Sequence, residues 1–222
     1  MTAQVSAFRW VPPFAQGFVR DLRVRWALEE AGFPYEAVLL DFETKNSADY
    51  RAWQPFAQVP AYRDDEVEMF ESGAIVLHIA RKSEALAPRD AAGRARVESW
   101  IFAALNSVEP AVSNFSGLDV FHTGAPWVDA YRPVAEEAVT ERLTALAAWL
   151  GDKPHLEGRF TAADILMTTV LRELVESGML VRFPTLDAYR ARCEARPAFG
   201  RALEAQLSTF RNNAPEPSAA AQ

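Results

Sequence analysis

Two short motifs near the middle of the chain combine the residue types needed to hold a small extended peptide. Gln58-Val59-Pro60 is followed, eleven residues after the proline, by Glu71-Ser72-Gly73-Ala74-Ile75. Proline has no backbone N–H and would delete a ladder bond in mid-sheet, so Pro60 belongs at the start of a strand, with the main chain of Val59 left free for an extended ligand. Glu71-Ser72 falls where the apolar run Val67 to Phe70 ends and the apolar run Ala74 to Ala80 begins. That places Ser72 at a helix N-terminus, where free N–H groups and the helix dipole attract a carboxylate. Glu71 adds a fixed negative charge one residue earlier. The pair therefore suits an α-amino-acid head group, ammonium and carboxylate together.

The elements that must position these residues are legible in the pattern. Val5 to Val11 and Tyr35 to Asp41 read as short buried strands. Between them Phe18, Leu22 and Trp26 repeat at i, i+4 and i+8, which places the arginines of that helix on other faces. Gly32 and Pro34 stop the helix, and a connection of this length favours parallel pairing with a right-handed crossover. A helical stretch around Ser47 to Trp53 precedes Ala61 to Arg63 and Glu66 to Phe70, which Asp64-Asp65 joins as an antiparallel hairpin. The polar, proline-containing segment Ser83 to Asp90 ends this first unit. Beyond it helices alone follow: a stripe over Val97, Trp100, Ile101, Ala104, Leu105 and Val108 closed by Pro110, and a second over Val139, Leu143, Leu146 and Leu150 stopped by Gly151 and Pro154. Thr161 with Asp164 reads as a capping box opening a third helix, and Thr185 to Glu194 and Pro197 to Phe210 as two more. The expected class is α/β plus all-α: a mixed four-stranded sheet with helices at residues 1–82, a linker at 83–90, a helical bundle at 91–211 and a disordered tail at 212–222.

Composition narrows the partners. The net charge of −7 is spread as 9 basic against 12 acidic residues up to Lys82 and 14 against 18 beyond it, which argues against nucleic acid and anionic membranes. A single cysteine, Cys193, excludes an internal disulfide, and the N-terminus lacks a charged segment leading into an apolar one; both point to a reducing cytoplasm. No apolar stretch approaches the ~20 residues that cross a bilayer. Three histidines, His78, His122 and His155, show no ligand spacing, so no metal is expected. His78 reads as a satisfied core or interface group, and Cys193 as a small buried apolar residue rather than a nucleophile.

The motifs resemble the cytosolic glutathione S-transferases. The carrying residues are Arg23-Val24-Arg25-Trp26-Ala27-Leu28-Glu29-Glu30-Ala31-Gly32-Phe33-Pro34-Tyr35-Glu36, Gln58-Val59-Pro60, Glu71-Ser72-Gly73-Ala74-Ile75, and Leu156-Glu157-Gly158-Arg159-Phe160-Thr161-Ala162-Ala163-Asp164-Ile165, in consistent order over residues 4 to 210. The resemblance implies a thioredoxin-like first domain, a cis peptide at Pro60, a cytoplasmic homodimer with a role in detoxification, and glutathione as co-substrate without a metal. Val59 would then bond the cysteinyl backbone of glutathione, Glu71 and Ser72 its γ-glutamyl head, and Lys45 and Gln58 its glycine carboxylate.

The implied chemistry is attack of the glutathione thiolate on a small hydrophobic electrophile. A thiol of pKa about 8.5 is only about 3% ionised at pH 7, and lowering it by about two units takes ~2.7 kcal/mol. The family's usual activator is a Tyr, Ser or Cys near the end of the first strand or the start of the first helix. Residues Trp10 to Asp21 contain none. Gln16 with the amides of a first helical turn at Gly17 and Phe18 is the available substitute, beside the Trp10 indole and the charge of Arg20. Of the aromatics Trp10, Phe14, Phe18, Trp100, Phe102, Phe115 and Phe121, Phe14 and Phe115 are the candidates for a second-substrate pocket. The missing hydroxyl keeps open a non-catalytic protein that binds glutathione or a hydrophobic ligand. A glutathione-dependent isomerase or peroxidase would share the bound thiolate, whereas disulfide exchange would need a cysteine near Gln16.

Overall fold

The computed structural model describes residues 2–215. Its sheet is built around β1 (Ala3–Phe8), which runs parallel to β2 (Tyr35–Leu40), with Ala3 opposite Tyr35 and Phe8 opposite Leu40. On its other side β1 is antiparallel to β3 (Ala61–Arg63), and β3 is antiparallel to β4 (Glu68–Phe70), giving the order β2-β1-β3-β4. The crossover helix α1 (Asp21–Ala31) ends at Gly32, whose positive φ of 70° closes the last turn by donating to the Leu28 carbonyl. The helix α2 (Ala48–Trp53) is capped by the Ser47 hydroxyl, and α3 (Ser72–Arg81) follows the hairpin. This is the thioredoxin-like arrangement. Its strands are shorter than their apolar runs, because Val11 falls in the loop after β1, and Glu66 and Val67 close the hairpin turn.

The rest is largely helical: α4 (Ala91–Phe102), α5 (Glu109–Phe121), α6 (Val128–Leu150), α7 (Ala162–Arg172), α8 (Pro184–Glu194) and α9 (Pro197–Asn212). Pro110 does not close the stripe that starts at Val97. A wide π turn over Ala103–Val108 links α4 to α5, and Pro110 sits in the first turn of α5, where no helical N–H is required of it. Asn212 belongs to α9; of the tail expected to be disordered, residues 216–222 lie outside the described residues. No described helix is long and apolar enough to cross a membrane.

One hydrophobic cluster runs through both parts, joining Val5, Trp26 and Ile75 to Ile101, Ile165 and Leu171. Helix α1 lies inside it, and the faces that carry its arginines are buried along with the apolar one: every residue from Asp21 to Leu28 is buried. The cause is packing on several sides at once, by β1 and by α3, α7 and α9. Periodicity within one helix reveals one apolar face, not how many neighbours it meets.

Two carboxylates fasten these pieces. Asp164 completes the capping box of α7, accepting from the Thr161 amide at 2.8 Å, while its other oxygen accepts from the Leu156 amide at 3.0 Å and the Tyr189 hydroxyl at 2.8 Å. Asp64 closes the β3–β4 turn onto the Glu66 and Val67 amides and ties it to α3 by accepting from Lys82 at 2.8 Å, with His78 Nε2 at 2.9 Å. Partial burial pushes the Asp64 carboxyl up, but the donors from Lys82, His78 and the Glu66 amide outweigh it and leave it well below the carboxylate range.

Asp164→Ala should lower the unfolding free energy by at least about 3 kcal/mol, since it strands several buried donors; a urea titration measures this. For Asp64 the folded pKa lies below the unfolded one, so its contribution is full above about pH 4 and is lost as pH falls further. The urea midpoint of Asp64→Asn should therefore fall less steeply with acidification than that of the unaltered protein.

Candidate functional site

The first residue of α3 is Ser72, and the residue before it is in an unusual conformation. Glu71 has a φ of 71° without being glycine, a left-handed geometry that costs on the order of 1 kcal/mol and is concentrated at functional sites. It turns the chain sharply out of β4, leaving the Glu71 side chain exposed while Ser72 is buried. The α3 amide of Ile75 donates back to the Glu71 carbonyl at 2.9 Å, so the helix starts here and its free N–H groups lie alongside the Ser72 hydroxyl.

That hydroxyl is oriented by Arg23. The guanidinium, 3% exposed, donates from Nη1 to Ser72 Oγ at 3.3 Å, from Nε to Thr169 Oγ1 at 3.0 Å, and from Nη2 to Glu109 Oε1 at 3.0 Å. Arg20 donates to the same Glu109 oxygen at 2.9 Å. A guanidinium can only donate, so Ser72 must accept from it and keeps its own hydrogen to give to a carboxylate. Burial pushes the Glu109 carboxyl up, but Arg23 and Arg20 together hold it below its usual range. Close by, Ser113 donates to Glu173 at 3.0 Å, and burial pushes the Glu173 carboxyl up against the opposing field of Arg23. Helices α1, α3, α5 and α7 thus meet on one charge cluster beneath Ser72.

The Val59–Pro60 peptide is cis and leads directly into β3. Among the described residues, neither main-chain polar group of Val59 has a hydrogen-bond partner. The turn is held from behind by buried hydroxyls: Ala61 N donates to Ser6 Oγ at 2.6 Å, Ser6 and Tyr50 hydroxyls lie 2.7 Å apart, and Tyr50 donates to the Gln58 carbonyl at 2.5 Å. The Gln58 side chain is exposed, and Lys45 Nζ lies over the same turn, 3.4 Å from the Ala57 carbonyl.

The loop after β1 departs from expectation. Helix α1 begins at Asp21, so Gly17 and Phe18 are not first-turn amides, and Phe18 N already donates to the Ala15 carbonyl at 3.1 Å. The Gln16 side-chain amide is drawn back into its own loop, donating to the Val11 carbonyl at 3.0 Å. Two prolines and the positive φ of 83° at Gly17 set this path. Unpartnered among the described residues are the N–H groups of Val11, Phe14 and Gly17. Phe14 is exposed at 59% and meets Phe121 edge-on at 6.3 Å. Phe115 does not line an open pocket: it is 6% exposed, because Val112, Phe115 and Leu118 form the core-facing side of α5. Phe121, at the end of that helix, is 72% exposed and is the ring that meets Phe14.

Residues 15–81 match the family described as Glutathione S-transferase, N-terminal domain. A glutathione S-transferase from Hyoscyamus muticus is 28% identical over 82% of this chain and 92% of its own length. The solved structure of a glutathione transferase family member from Pseudomonas fluorescens, described with two glutathione bound, superposes with a TM-score of 0.79 at 26% identity over 91% of this chain and 92% of that one. The chain is similar to glutathione transferases over most of its length. A probable glutathione S-transferase from Oryza sativa subsp. japonica is more similar locally, 39% identical, but the match spans 39% of this chain and 42% of that protein.

This similarity makes the arrangement around Ser72 the candidate site, and several of its parts escaped sequence reasoning. Arg23, Glu109, Thr169 and Phe121 are drawn from α1, α5 and α7, and nothing in their spacing links them. Only the Glu109-Pro110 step, acidic at a helix start, marks a special position. His155, Asp164 and Cys193 also converge, with ligand atoms within 4.8 Å of one another. Their charges are already engaged: Asp164 is committed to α7, and burial pushes the Cys193 thiol up to about 12, away from the thiolate a metal or electrophile requires. Cys193 should stay unmodified by an aromatic disulfide reagent at pH 8 in the folded protein and react with one equivalent after denaturation, as absorbance of the released thiolate reports.

Proposed function

We propose that this protein binds reduced glutathione and transfers its thiolate to a small hydrophobic electrophile, acting as a cytoplasmic homodimer. The observation that carries this reading is the Ser72 hydroxyl at the α3 N-terminus, held as a hydrogen donor by a buried arginine and lying near the unpartnered main chain of Val59. In this reading residues 1–82 form the tripeptide-binding domain and 91–211 the helical one. Ser72 and the α3 amides take the γ-glutamyl carboxylate, Glu71 takes its ammonium, Val59 pairs with the cysteinyl main chain, and Lys45 and Gln58 face the glycine carboxylate.

The sulfur then reaches the loop after β1, where the free N–H groups of Val11, Phe14 and Gly17 supply the stabilisation that Gln16, turned away, does not. Two hydrogen bonds to an anion, each worth about 1.5 to 3 kcal/mol, cover the ~2.7 kcal/mol that a two-unit shift demands. The thiolate sulfur donates its electron pair to the electrophilic carbon, whose leaving group departs with the bonding pair, while the thiol proton passes to solvent. Phe14 and Phe121 provide the apolar surface for that partner.

A second reading, binding without catalysis, is favoured by the absence of any hydroxyl or thiol between Trp10 and Asp21 and by the internal bond of Gln16. Ultraviolet difference spectra of bound glutathione separate the two: thiolate absorbance at neutral pH supports transfer, and an unshifted thiol leaves binding alone. Calorimetric titration tests the shared premise. Reduced glutathione and S-methylglutathione should both bind, and Ser72→Ala should weaken each about tenfold, the scale of one charge-assisted hydrogen bond. Unchanged affinity in Ser72→Ala would remove the head group from this position.

A further inference from the structure

Glu109, Ser113, Gly117 and Phe121 recur at every fourth position of α5, so they share one slowly turning face, each about 6 Å beyond the last. That face spans the candidate site from end to end. Glu109 meets Arg20 and Arg23 of α1, and Phe121 meets Phe14 of the loop after β1. Between them Gly117 offers no side chain. Apart from the chain around it, a Cβ built there would meet only Phe121 among the described residues, at 3.7 Å. The stripe thus leaves a gap between a charged end and an aromatic end.

A carboxyl group reaches this face from the end of α7. Ser113 donates to Glu173 Oε2 at 3.0 Å, while Oε1 has no partner among the described residues and the side chain is only half-buried. A carboxyl oxygen left free in a charge-lined position can exchange a proton with whatever lies beside it. Two features favour its protonated form. Glu173 caps the C-terminus of α7, the negative end of the helix dipole, which disfavours a carboxylate. Burial pushes its carboxyl up and Glu109 of α5 adds to this, against Arg23 and Arg20 of α1 and the Ser113 bond.

We infer that Glu173 is a general acid for the transfer and that the electrophile is an apolar epoxide, its ring oxygen at Glu173 Oε1 and its hydrocarbon part against Phe14 and Phe121. This rests on the glutathione reading above and narrows its substrate class. The sulfur pair forms the C–S bond, the ring C–O bond breaks with its pair on oxygen, and the Glu173 carboxyl gives its proton to that oxygen. The product is a hydroxy thioether. The carboxylate then regains a proton from solvent, into which the thiol proton passed. A departing halide needs no proton, so the acid distinguishes epoxides from halides.

The test is turnover of styrene oxide and of 1-chloro-2,4-dinitrobenzene by the full chain with reduced glutathione, across pH. Glu173→Gln keeps the shape of the side chain without its acidic proton. It should lower kcat/KM for styrene oxide about a hundredfold, within the usual range for a general acid, and at least about tenfold more than for the chloride. With styrene oxide the unaltered protein should gain activity as the thiol ionises and lose it again as Glu173 gives up its proton. Ser113→Ala removes a bond that favours the carboxylate, so it should move that falling limb to higher pH. Circular dichroism melts verify that both variants are folded; if Glu173→Gln is not, Ser113→Ala decides. Equal losses for the two electrophiles, a falling limb that is absent or unmoved, or affinity for S-methylglutathione lost in step with turnover would each overturn the inference and leave glutathione binding standing. Turnover of neither electrophile by the unaltered protein would remove the transfer reading and the inference together.

Discussion

The buried guanidinium of Arg23 is the constraint around which the rest of the site is arranged. Taking such an ion out of water costs several kcal/mol unless its donors are matched, and the match here is drawn from three other helices: Ser72 of α3, Glu109 of α5 and Thr169 of α7. Each partner fixes one helix relative to α1. The position of Ser72, on which the proposed recognition of glutathione rests, is therefore set by contacts that cross from the sheet-bearing part of the chain to the helical part. Removing either side would leave an uncompensated charge in the interior, so the two parts are bound by electrostatics as well as by the shared apolar core.

The same requirement explains the acid-rich lining. Glu109 neutralises both Arg20 and Arg23, and Glu173, kept near by its bond from Ser113, lies in the field of Arg23 with its carboxyl pushed upward by burial. Thr169 gives its hydrogen to the Leu166 carbonyl and Ser113 gives its own to Glu173, which leaves Ser72, at the positive end of α3, with a hydrogen that has no acceptor among the described residues. Further along the sheet, the Ser6–Tyr50–Gln58 chain of hydroxyls satisfies the back of the Val59–Pro60 turn and leaves its front open. Both halves of the candidate site thus follow one rule: polar groups behind the surface are consumed internally, and those in front stay available.

Alternation and turn chemistry made much of this visible in the residues alone. Gly32 ends α1, Thr161 and Asp164 open α7, Asp64 closes the hairpin, and Ser72 opens α3, because each depends on interactions within a few residues. Pro60 lies where its missing N–H is harmless, before β3. Local rules misread Pro110, since a π turn upstream absorbed it, and misread Gln16, since its amide found a carbonyl five residues back.

What the sequence by itself determined was the order and kind of the elements, the resemblance to glutathione transferases, and the two motifs that form the candidate site. Only the tertiary structure decided which charges are buried and with whom. Arg23 and Arg25 look alike in sequence, yet one reaches across to Ser72 and the other is paired with Asp21 of its own helix. Phe115 and Phe121 are equally aromatic, yet one fills the core and the other meets Phe14 at the surface. The reason is physical: capping and turn formation are settled over a few residues, whereas desolvation of a charge or an aromatic ring is settled by neighbours that lie tens of residues, or more than a hundred, away along the chain.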